Sequence, residues 1–371
     1  MRFLLLLIAV AALAVGCQRV MPLANSRPMT STGSSQDAAA NAQQSQRPEA
    51  QAGRLSQQDE DIAEVAVREI PLAGDIKQRS AELSGLAWYG DWLILLPQFP
   101  DFSGQQGDER IFALARADIL AYLNGETTEP LQPVGVPFVS PPLRKKIRSY
   151  EGFEAITFDG DRAYLAIEAS PGREMVGYLV AGTIAPDLSQ LLLDAGRLAP
   201  LPSATGLSNK SEEALLLAGE SVLVIHEANG ARVNPAPVAR RFDSALRPLP
   251  TLAFPTIEYR ITDATQLDDD GRFWVINYFF PGEFALRTTS DPIADTYGEG
   301  PTHAARSGVA RLLEMQYAEE GITLVDRPPI QLELGPLALH NWEGIVRLED
   351  RGFLLVTDKF PDTILGFVPF P

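Results

Sequence analysis

Acidic residues recur at one position of a repeated pattern in this chain. Five short apolar runs each begin with an acidic or small polar residue, namely Ser84, Glu154, Glu213, Asp263 and Glu343. Four carboxylates that converge on one place repel one another unless protons, basic side chains or a metal ion neutralise them. Oxygen ligands of this kind suit Ca²⁺ better than Zn²⁺. The pattern therefore predicts a calcium site formed by these four carboxylates and the amides of Asn209 and Asn341.

Basic residues offer an alternative way to neutralise the same carboxylates. Several of them lie just upstream of the acidic positions: Arg144, Lys145, Lys146, Arg148, Lys210 and Arg260. Each carboxylate could pair with such a side chain, or accept backbone N–H groups where its strand begins. The sequence leaves the metal and the ion pairs open.

Candidate proton-transfer groups are few. His340 lies three residues before Glu343 and could act as a general base toward a metal-bound water, or it could merely cap a loop beside Trp342. Glu168 and Glu227 occupy equivalent ends of two later runs, either as a catalytic pair or as hydrogen-bond acceptors at corners. The sequence has no Gly-x-Ser-x-Gly elbow, no Gly-x-x-x-x-Gly-Lys loop and no Cys-x-x-Cys pair.

The elements that must position these residues are repeated β-hairpins. Each acidic run leads through a turn into a more apolar run, at 92–95, 164–167, 222–225, 273–276 and 353–356. Hairpins repeated at this spacing predict an all-β fold, a β-propeller, whose inner strands border a central axis. Five blades can be counted and six are possible. The last blade lacks an outer strand, which the apolar-alternating segment 64–70 would supply, closing the ring.

Aromatic-proline corners follow three of the second strands. They begin at Phe99-Pro100, Phe280-Pro281 and Phe360-Pro361. We interpret these corners as blade packing, with a platform for a sugar or a lipid as the alternative. The stretch 282–307 has no apolar pattern and predicts a long loop, either functional or disordered.

The N-terminus has the features of an exported lipoprotein. An apolar stretch from Phe3 to Val15 ends at Gly16-Cys17, which resembles a lipobox, and Cys17 is the one cysteine of the sequence. We therefore expect a signal peptide at 1–17, a tether rich in Ala, Ser, Gln and Asn at 18–61, and the propeller at 62–371. Lipid on Cys17 would anchor the protein in a membrane, the outer membrane if the host has one.

The net charge restricts the partners. At −17, it argues against nucleic acid, whose phosphates require basic surfaces. We expect a monomer that meets a small molecule or an envelope protein.

Three phrases carry a resemblance to a known family. They are Leu83-Ser84-Gly85-Leu86-Ala87, the run from Tyr150 to Ile156, and Glu343-Gly344-Ile345 followed by Phe353 to Phe360. From about Ala81 onward the chain resembles the phytase-like, or "esterase-like activity of phytase", propeller family. The resemblance implies an exported bacterial propeller with ester or phosphoester hydrolase activity. The Asp-Asp-Pro-Ala-Ile-Trp phrase of calcium-binding propeller phytases is absent from this sequence.

Two hypotheses follow from these observations. The first is a lipid-anchored, calcium-dependent ester or phosphoester hydrolase, and the second is a non-catalytic propeller that binds a ligand or a protein in the cell envelope.

Overall fold

Residues 62–102, 107–335 and 339–371 are described by a computed structural model of the chain. Cys17, the predicted signal peptide and the predicted tether lie outside these residues, so they remain predictions. None of the helices in the described ranges is long and apolar enough to cross a membrane.

The strands form five antiparallel groups, which we name blades I to V. Two short strands precede them, β1 (Glu64–Val65) and β2 (Arg68–Ile70). Blade I contains β3 (Leu83–Tyr89), β4 (Trp92–Pro97), β5 (Arg110–Ala115) and β6 (Val134–Val139). Blade II contains β7 (Tyr150–Asp159), β8 (Arg162–Ala169), β9 (Val176–Ile184) and β10 (Leu191–Leu201). Blade III contains β11 (Glu212–Ala218), β12 (Ser221–His226), β13 (Val238–Phe242) and β14 (Pro248–Ala253).

The two remaining blades complete the fold. Blade IV contains β15 (Arg260–Ala264), β16 (Arg272–Phe279), β17 (Val309–Ala318), β18 (Gly321–Leu324) and β19 (Ile330–Leu332). Blade V contains β20 (Trp342–Leu348), β21 (Gly352–Thr357) and β22 (Leu365–Pro369). The α-helices are short: α1 (Arg116–Leu123), α2 (Leu143–Lys146), α3 (Pro292–Tyr297) and α4 (Pro301–Ala304). Single 3-10 turns cover Asp75–Lys77, Arg79–Ala81 and Phe284–Leu286.

The first strands of the five blades lie side by side around an axis. In cyclic order β3 contacts β7, β7 contacts β11, β11 contacts β15, β15 contacts β20, and β20 contacts β3. Side chains tie neighbours together: Ser84 Oγ donates to the Phe153 carbonyl at 2.7 Å. This arrangement confirms the predicted all-β propeller fold.

Close approach of the inner strands explains why glycine occurs among them. A Cβ on Gly344 would lie 2.7 Å from Val356 Cγ2 and 3.1 Å from the backbone nitrogen of Leu86. Any side chain at this position would therefore push apart the neighbouring strands of blades V and I.

The N-terminal segment closes the ring, as predicted. Strand β2 pairs antiparallel with β22 and completes blade V, because β22 would otherwise be an unpaired edge. Strand β1 pairs parallel with β19 in blade IV. The segment 64–70 thus joins two blades rather than one.

The predicted loop 282–307 contains helices and is fixed to the N-terminal strand. Backbone N–H groups of Thr302 and His303 donate to Glu64 at 3.0 Å, and His303 Nδ1 lies 2.8 Å from Glu64 Oε1. Glu64 thereby satisfies the first N–H groups of α4.

Candidate active site

A β-bulge occurs at the same place in every inner strand. In four blades one residue has no partner on the second strand, and these residues are Ser84, Glu154, Glu213 and Glu343. In blade IV the register shifts between Ile261 and Ala264, across Asp263. A bulge turns a side chain away from the regular alternation. The positions that the sequence aligned are therefore equivalent in the structure.

A cavity of about 560 Å³ contains most of the predicted site residues. Glu154, Glu213, Glu343, Asn209 and Asn341 line it. The other lining residues are Glu82, Ser84, Gln98, Glu168, Arg260, Tyr278, Phe280, Glu283, Leu339, Asp358, Lys359 and Phe360. Because the inner strands of all five blades or the loops beside them contribute, we call this the axial cavity.

Arg260 neutralises the carboxylates on one side of the axial cavity. Its Nη2 donates to both oxygens of Glu213 at 2.9 Å and to Glu343 Oε1 at 3.1 Å. Its Nε donates to Glu227 at 2.6 Å, and its Nη1 donates to Asn341 at 3.3 Å. Burial and mutual repulsion still raise the pKa of Glu213, since one guanidinium faces three carboxylates.

Lys210 adds a second cation to this network. Its Nζ lies 3.4 Å from Glu227 Oε2 and 3.0 Å from Glu283 Oε1. Burial alone would raise the pKa of Glu227, but Lys210 and Arg260 outweigh it and lower that pKa to about 2. Glu227 is therefore ionised at neutral pH and forms ion pairs with Lys210 and Arg260.

On the other side of the axial cavity are two carboxyl groups, Glu154 and Glu168, that form no ion pair with a basic side chain of the described residues, although the charge of Lys210 acts on Glu168. Glu154 and Glu168 lie close enough to interact as a carboxyl pair, and their mutual hydrogen bonding raises the pKa of Glu154 and lowers that of Glu168, so Glu154 is the partner that holds the proton more tightly. Gln98 Nε2 donates to Glu154 Oε1 at 2.7 Å. Burial and the neighbouring Glu168 charge raise the pKa of Glu154 well above its ordinary value. Burial and then repulsion from Glu227 raise the pKa of Glu168 to about 7.

Asp263 does not reach the axial cavity, which corrects its prediction as a ligand. Its Oδ2 accepts the backbone N–H of Ile345 at 2.8 Å, and the backbone N–H groups of Ala264 and Leu86 lie near enough to lower its pKa, against the stronger effect of burial, which raises it. Asp263 therefore links β15 to β20 and β3. This is the role that the alternative interpretation gave to carboxylates at strand starts.

The remaining donor set does not fit the predicted calcium ion. The Arg260 guanidinium lies between Glu213 and Glu343, where a metal would have to bind both. Asn341 Oδ1 accepts a hydrogen bond from Arg260 Nη1, and Asn341 Nδ2 donates to Glu343 at 2.6 Å. Within the described ranges no group of three or more His, Cys, Asp or Glu side chains could hold a metal ion. The calcium site stays a prediction that this geometry does not support.

His340 also lies away from the axial cavity, which corrects its prediction as the general base. Its ring stacks on Trp342 with centroids 5.2 Å apart. The two side chains line a separate depression with Glu69 and Glu333. His340 lies just before β20 and is not among the residues that line the axial cavity.

Two of the aromatic corners form the mouth of the axial cavity. Phe280 is 52% exposed and Phe360 is 47% exposed, although both line the cavity. Arg79 lies over the Phe360 ring at 4.9 Å, and Lys359 donates to Glu82 at 2.8 Å. The interpretation of these two corners as blade packing was therefore wrong, since their rings face solvent and the cavity.

Comparison with known proteins gives no family. No protein-family model and no curated protein matches the chain. Similar solved structures include a glycosyl hydrolase from Bacteroides ovatus, with 12% identity, coverage of 83% of this chain and 95% of that chain, and a TM-score of 0.45.

Two further similar structures have unrelated chemistries. A β-1,2-mannobiose phosphorylase from Listeria innocua has 10% identity, coverage of 78% and 88%, and a TM-score of 0.43. The hydrazine synthase of Kuenenia stuttgartiensis has 10% identity, coverage of 77% and 76%, and a TM-score of 0.36. At these values the likenesses carry no argument about activity, and the fold and the site define the class: a β-propeller with a carboxyl-rich axial cavity.

Proposed function

We propose that this protein is a hydrolase of uncharged ester bonds, in which the carboxyl pair Glu154–Glu168 activates water. The observation that supports it is this pair: two interacting carboxyl groups that both line the cavity, neither of which forms an ion pair within the described part of the chain. Such a pair holds one proton and can give and take protons in the same reaction, as the aspartic proteases do.

The chemistry then follows from the two protonation states. Glu168 takes a proton from water, the water oxygen bonds to the carbonyl carbon, and Glu154 gives its proton to the carbonyl oxygen. When the bond to the alcohol breaks, Glu168 returns its proton to the departing oxygen, and Glu154 takes one from the intermediate's hydroxyl. The products are a carboxylic acid and an alcohol, and the pair regains its starting state.

The charge of the axial cavity favours an uncharged substrate over a phosphoester. Seven of its lining residues are Glu or Asp and two are Arg or Lys. Arg260 is already held by Glu213, Glu227 and Glu343. A phosphate group would meet surplus negative charge, so the phosphoester part of the family resemblance has less support here than the ester part.

A non-catalytic propeller that binds a ligand is the second candidate. The exposed rings of Phe280 and Phe360 at the mouth favour it, because exposed aromatic side chains beside a pocket are typical of recognition surfaces. This function would need the cavity but not the protons of Glu154 and Glu168.

The proposal includes the cellular location of the protein. Cys17 would carry lipid and hold a monomeric propeller at the membrane, with a small-molecule ester or an envelope protein as its partner. The predicted tether, 18–61, would let the axial cavity reach substrates away from the membrane surface.

A substrate panel separates the two functions. The full chain is assayed on p-nitrophenyl acetate, p-nitrophenyl butyrate and p-nitrophenyl phosphate, alongside Glu154→Gln, Glu168→Gln and the control Glu220→Gln. Glu220 is exposed in the turn between β11 and β12. We expect ester hydrolysis that both cavity variants lose and the control keeps. Absence of activity on all esters would leave the binding function.

A further inference from the structure

A second cavity, of about 170 Å³, lies against blade III and shares no lining residue with the axial cavity. Its polar lining consists of Glu212, His226, Asn234 and Arg240, and its apolar lining includes Val224 and Val238. Val238 is 39% exposed, so the cavity reaches the surface.

His226 lines this cavity and has one buried ring nitrogen, Nε2, without a hydrogen-bond partner in the described part of the chain. The side chain is 3% exposed, and the backbone N–H of Ala228 donates to its Nδ1 at 2.9 Å. Nδ1 also lies 3.3 Å from the Ala228 carbonyl, and its shorter contact with the Ala228 N–H assigns the proton of the neutral ring to Nε2. Among the described residues Nε2 has no hydrogen-bond partner. Burial lowers the pKa of His226 and the charge of Arg240 lowers it further, whereas the charge of Glu227 and the backbone groups of Ala228 and Lys210 act to raise it. A buried N–H group without a partner costs free energy until an acceptor arrives.

We propose that this cavity binds a short-chain monocarboxylate, which accepts hydrogen bonds from His226 Nε2 and from Arg240. The apolar wall formed by Val224 and Val238 would hold the aliphatic chain. A space of about 170 Å³ has room for roughly five waters. That space suits a carboxylate of a few carbons and excludes a long fatty acid.

Arg240 and Glu212 make the binding depend on a proton. Arg240 Nη1 donates to Glu212 Oε1, and Nη2 donates to the Pro202 carbonyl. Burial raises the pKa of Glu212 to about 7, with Arg240 lowering it and Glu227 raising it further. A ligand carboxylate that pairs with Arg240 would take the place of Glu212, which would then take up a proton. Binding should therefore consume up to one proton and weaken as pH rises above 7.

This proposal goes beyond the proposed function, because it concerns a different cavity and needs no catalysis. The carboxylate has the same chemistry as the acid released by ester hydrolysis. Glu212 directly precedes Glu213 of the axial cavity, so the two cavities share strand β11.

Calorimetry with the full chain tests the proposal. Sodium butyrate is titrated at pH 6.5, 7.5 and 8.5 in two buffers of different ionisation enthalpy, with 1-butanol and n-butylamine as matched ligands of other charge. We expect saturable binding of butyrate alone, proton uptake near pH 7.5, and affinity that falls with pH. If butyrate shows no saturable binding at concentrations up to about 100 mM, the dissociation constant is weaker than a specific site would give, and the proposal is overturned.

Two variants of His226 locate the site. In His226→Asn the amide oxygen lies near the Nδ1 position and can still accept from Ala228, but no donor remains at the Nε2 position. In His226→Gln the amide can reach the Nε2 position and donate. We expect His226→Asn to weaken butyrate binding about tenfold and His226→Gln to restore part of it.

Folding and site identity need their own checks. Melting temperatures show whether the variants fold, and Arg240→Lys provides a second test that leaves His226 intact and should also weaken binding. Wild-type butyrate affinity in both His226→Asn and Arg240→Lys would overturn the proposal, as would a crystal soaked in butyrate that shows only water in this cavity. Loss of esterase activity would leave the proposal intact, since it concerns the other cavity.

Discussion

Arg260 binds Glu213 through a single nitrogen: Nη2 donates to both carboxylate oxygens at 2.9 Å. Both side chains are about 9% exposed, so the pair is almost completely removed from water. Removing one member of a buried ion pair is costly because the other charge stays behind unpaired. The network around Arg260 therefore fixes the structure of the axial cavity on the side away from Glu154.

Replacing Arg260 should destabilise the fold strongly and in a pH-dependent way. We expect Arg260→Met to lower the free energy of unfolding by about 3–5 kcal/mol near neutral pH. Without the guanidinium, burial raises the folded-state pKa of Glu213 and Glu343, so the loss should grow as pH rises from 5 to 8. Urea unfolding at both pH values measures it.

Arg241→Met is the matched control for this substitution. Arg241 Nη1 lies 2.8 Å from Glu319 Oε2, but the Glu319 side chain is 73% exposed. An exposed pair of this kind contributes less than about 1 kcal/mol. Equal losses for the two arginine variants would contradict a structural role for the Arg260 network.

Ring closure by the N-terminal strands should be visible in truncated chains. A chain that begins at Gly74 lacks β1 and β2, which leaves β22 as an open edge and removes Glu64 from His303. We expect its melting temperature to fall by several degrees, relative to a chain that begins at Ile62. If the two truncated chains have melting temperatures within about a degree of each other, the stability of the ring does not depend on this segment.

Calcium should leave the stability unchanged if Arg260 neutralises the cavity. We expect the same melting temperature, within about a degree, in millimolar calcium and in chelator, because no ion then binds the folded state selectively. A rise in melting temperature with the logarithm of calcium concentration would contradict this prediction. It would restore the calcium site predicted from the sequence, and Glu213→Gln and Glu343→Gln would then weaken the response.

Lipidation at Cys17 is testable by fractionation. Cys17→Ala removes the acyl acceptor, so we expect the protein either to leave the membrane fraction or to stay as an unprocessed precursor. Western blotting of membrane and soluble fractions distinguishes these outcomes from wild type. Processing and membrane association like those of the wild type would rule out the lipid anchor.

The sequence predicted the fold and the equivalence of the site positions, because both depend on a local repeat. Ser84, Glu154, Glu213 and Glu343 begin similar hairpins, and each occupies the bulge of its inner strand. Period-2 apolar patterns identify strands from neighbouring residues alone. The N-terminal closure was predictable for the same reason, since blade V was one strand short.

The partners of these carboxylates could not be predicted. Arg260 and Lys210 were two of six basic residues considered, and what selects Arg260 is its position on β15, the inner strand next to that of Glu213. Glu283 lies in a stretch without a pattern, and its contact with Lys210 spans blades III and IV. Glu168 and Glu227 did give a signal, as equivalent ends of second strands, but the sequence could not show that Glu168 lines the axial cavity or that Glu227 pairs with Arg260 and Lys210.

The dependence of kcat/KM on pH tests the central claim most directly. For hydrolysis of p-nitrophenyl butyrate, we predict a bell-shaped profile whose acidic limb lies near pH 7, because Glu168, whose pKa is raised to about 7, must lose its proton to act as the base. The basic limb reflects the raised pKa of Glu154, which must keep its proton, and the two groups titrate as a pair. We expect Glu168→Gln to lose the acidic limb, Glu154→Gln to lose the basic limb, and each to lower kcat/KM about a hundredfold or more, while Glu220→Gln matches the wild type. A pH-independent wild-type rate, or wild-type kcat/KM in both cavity variants, would contradict the assignment of this carboxyl pair as the catalytic group.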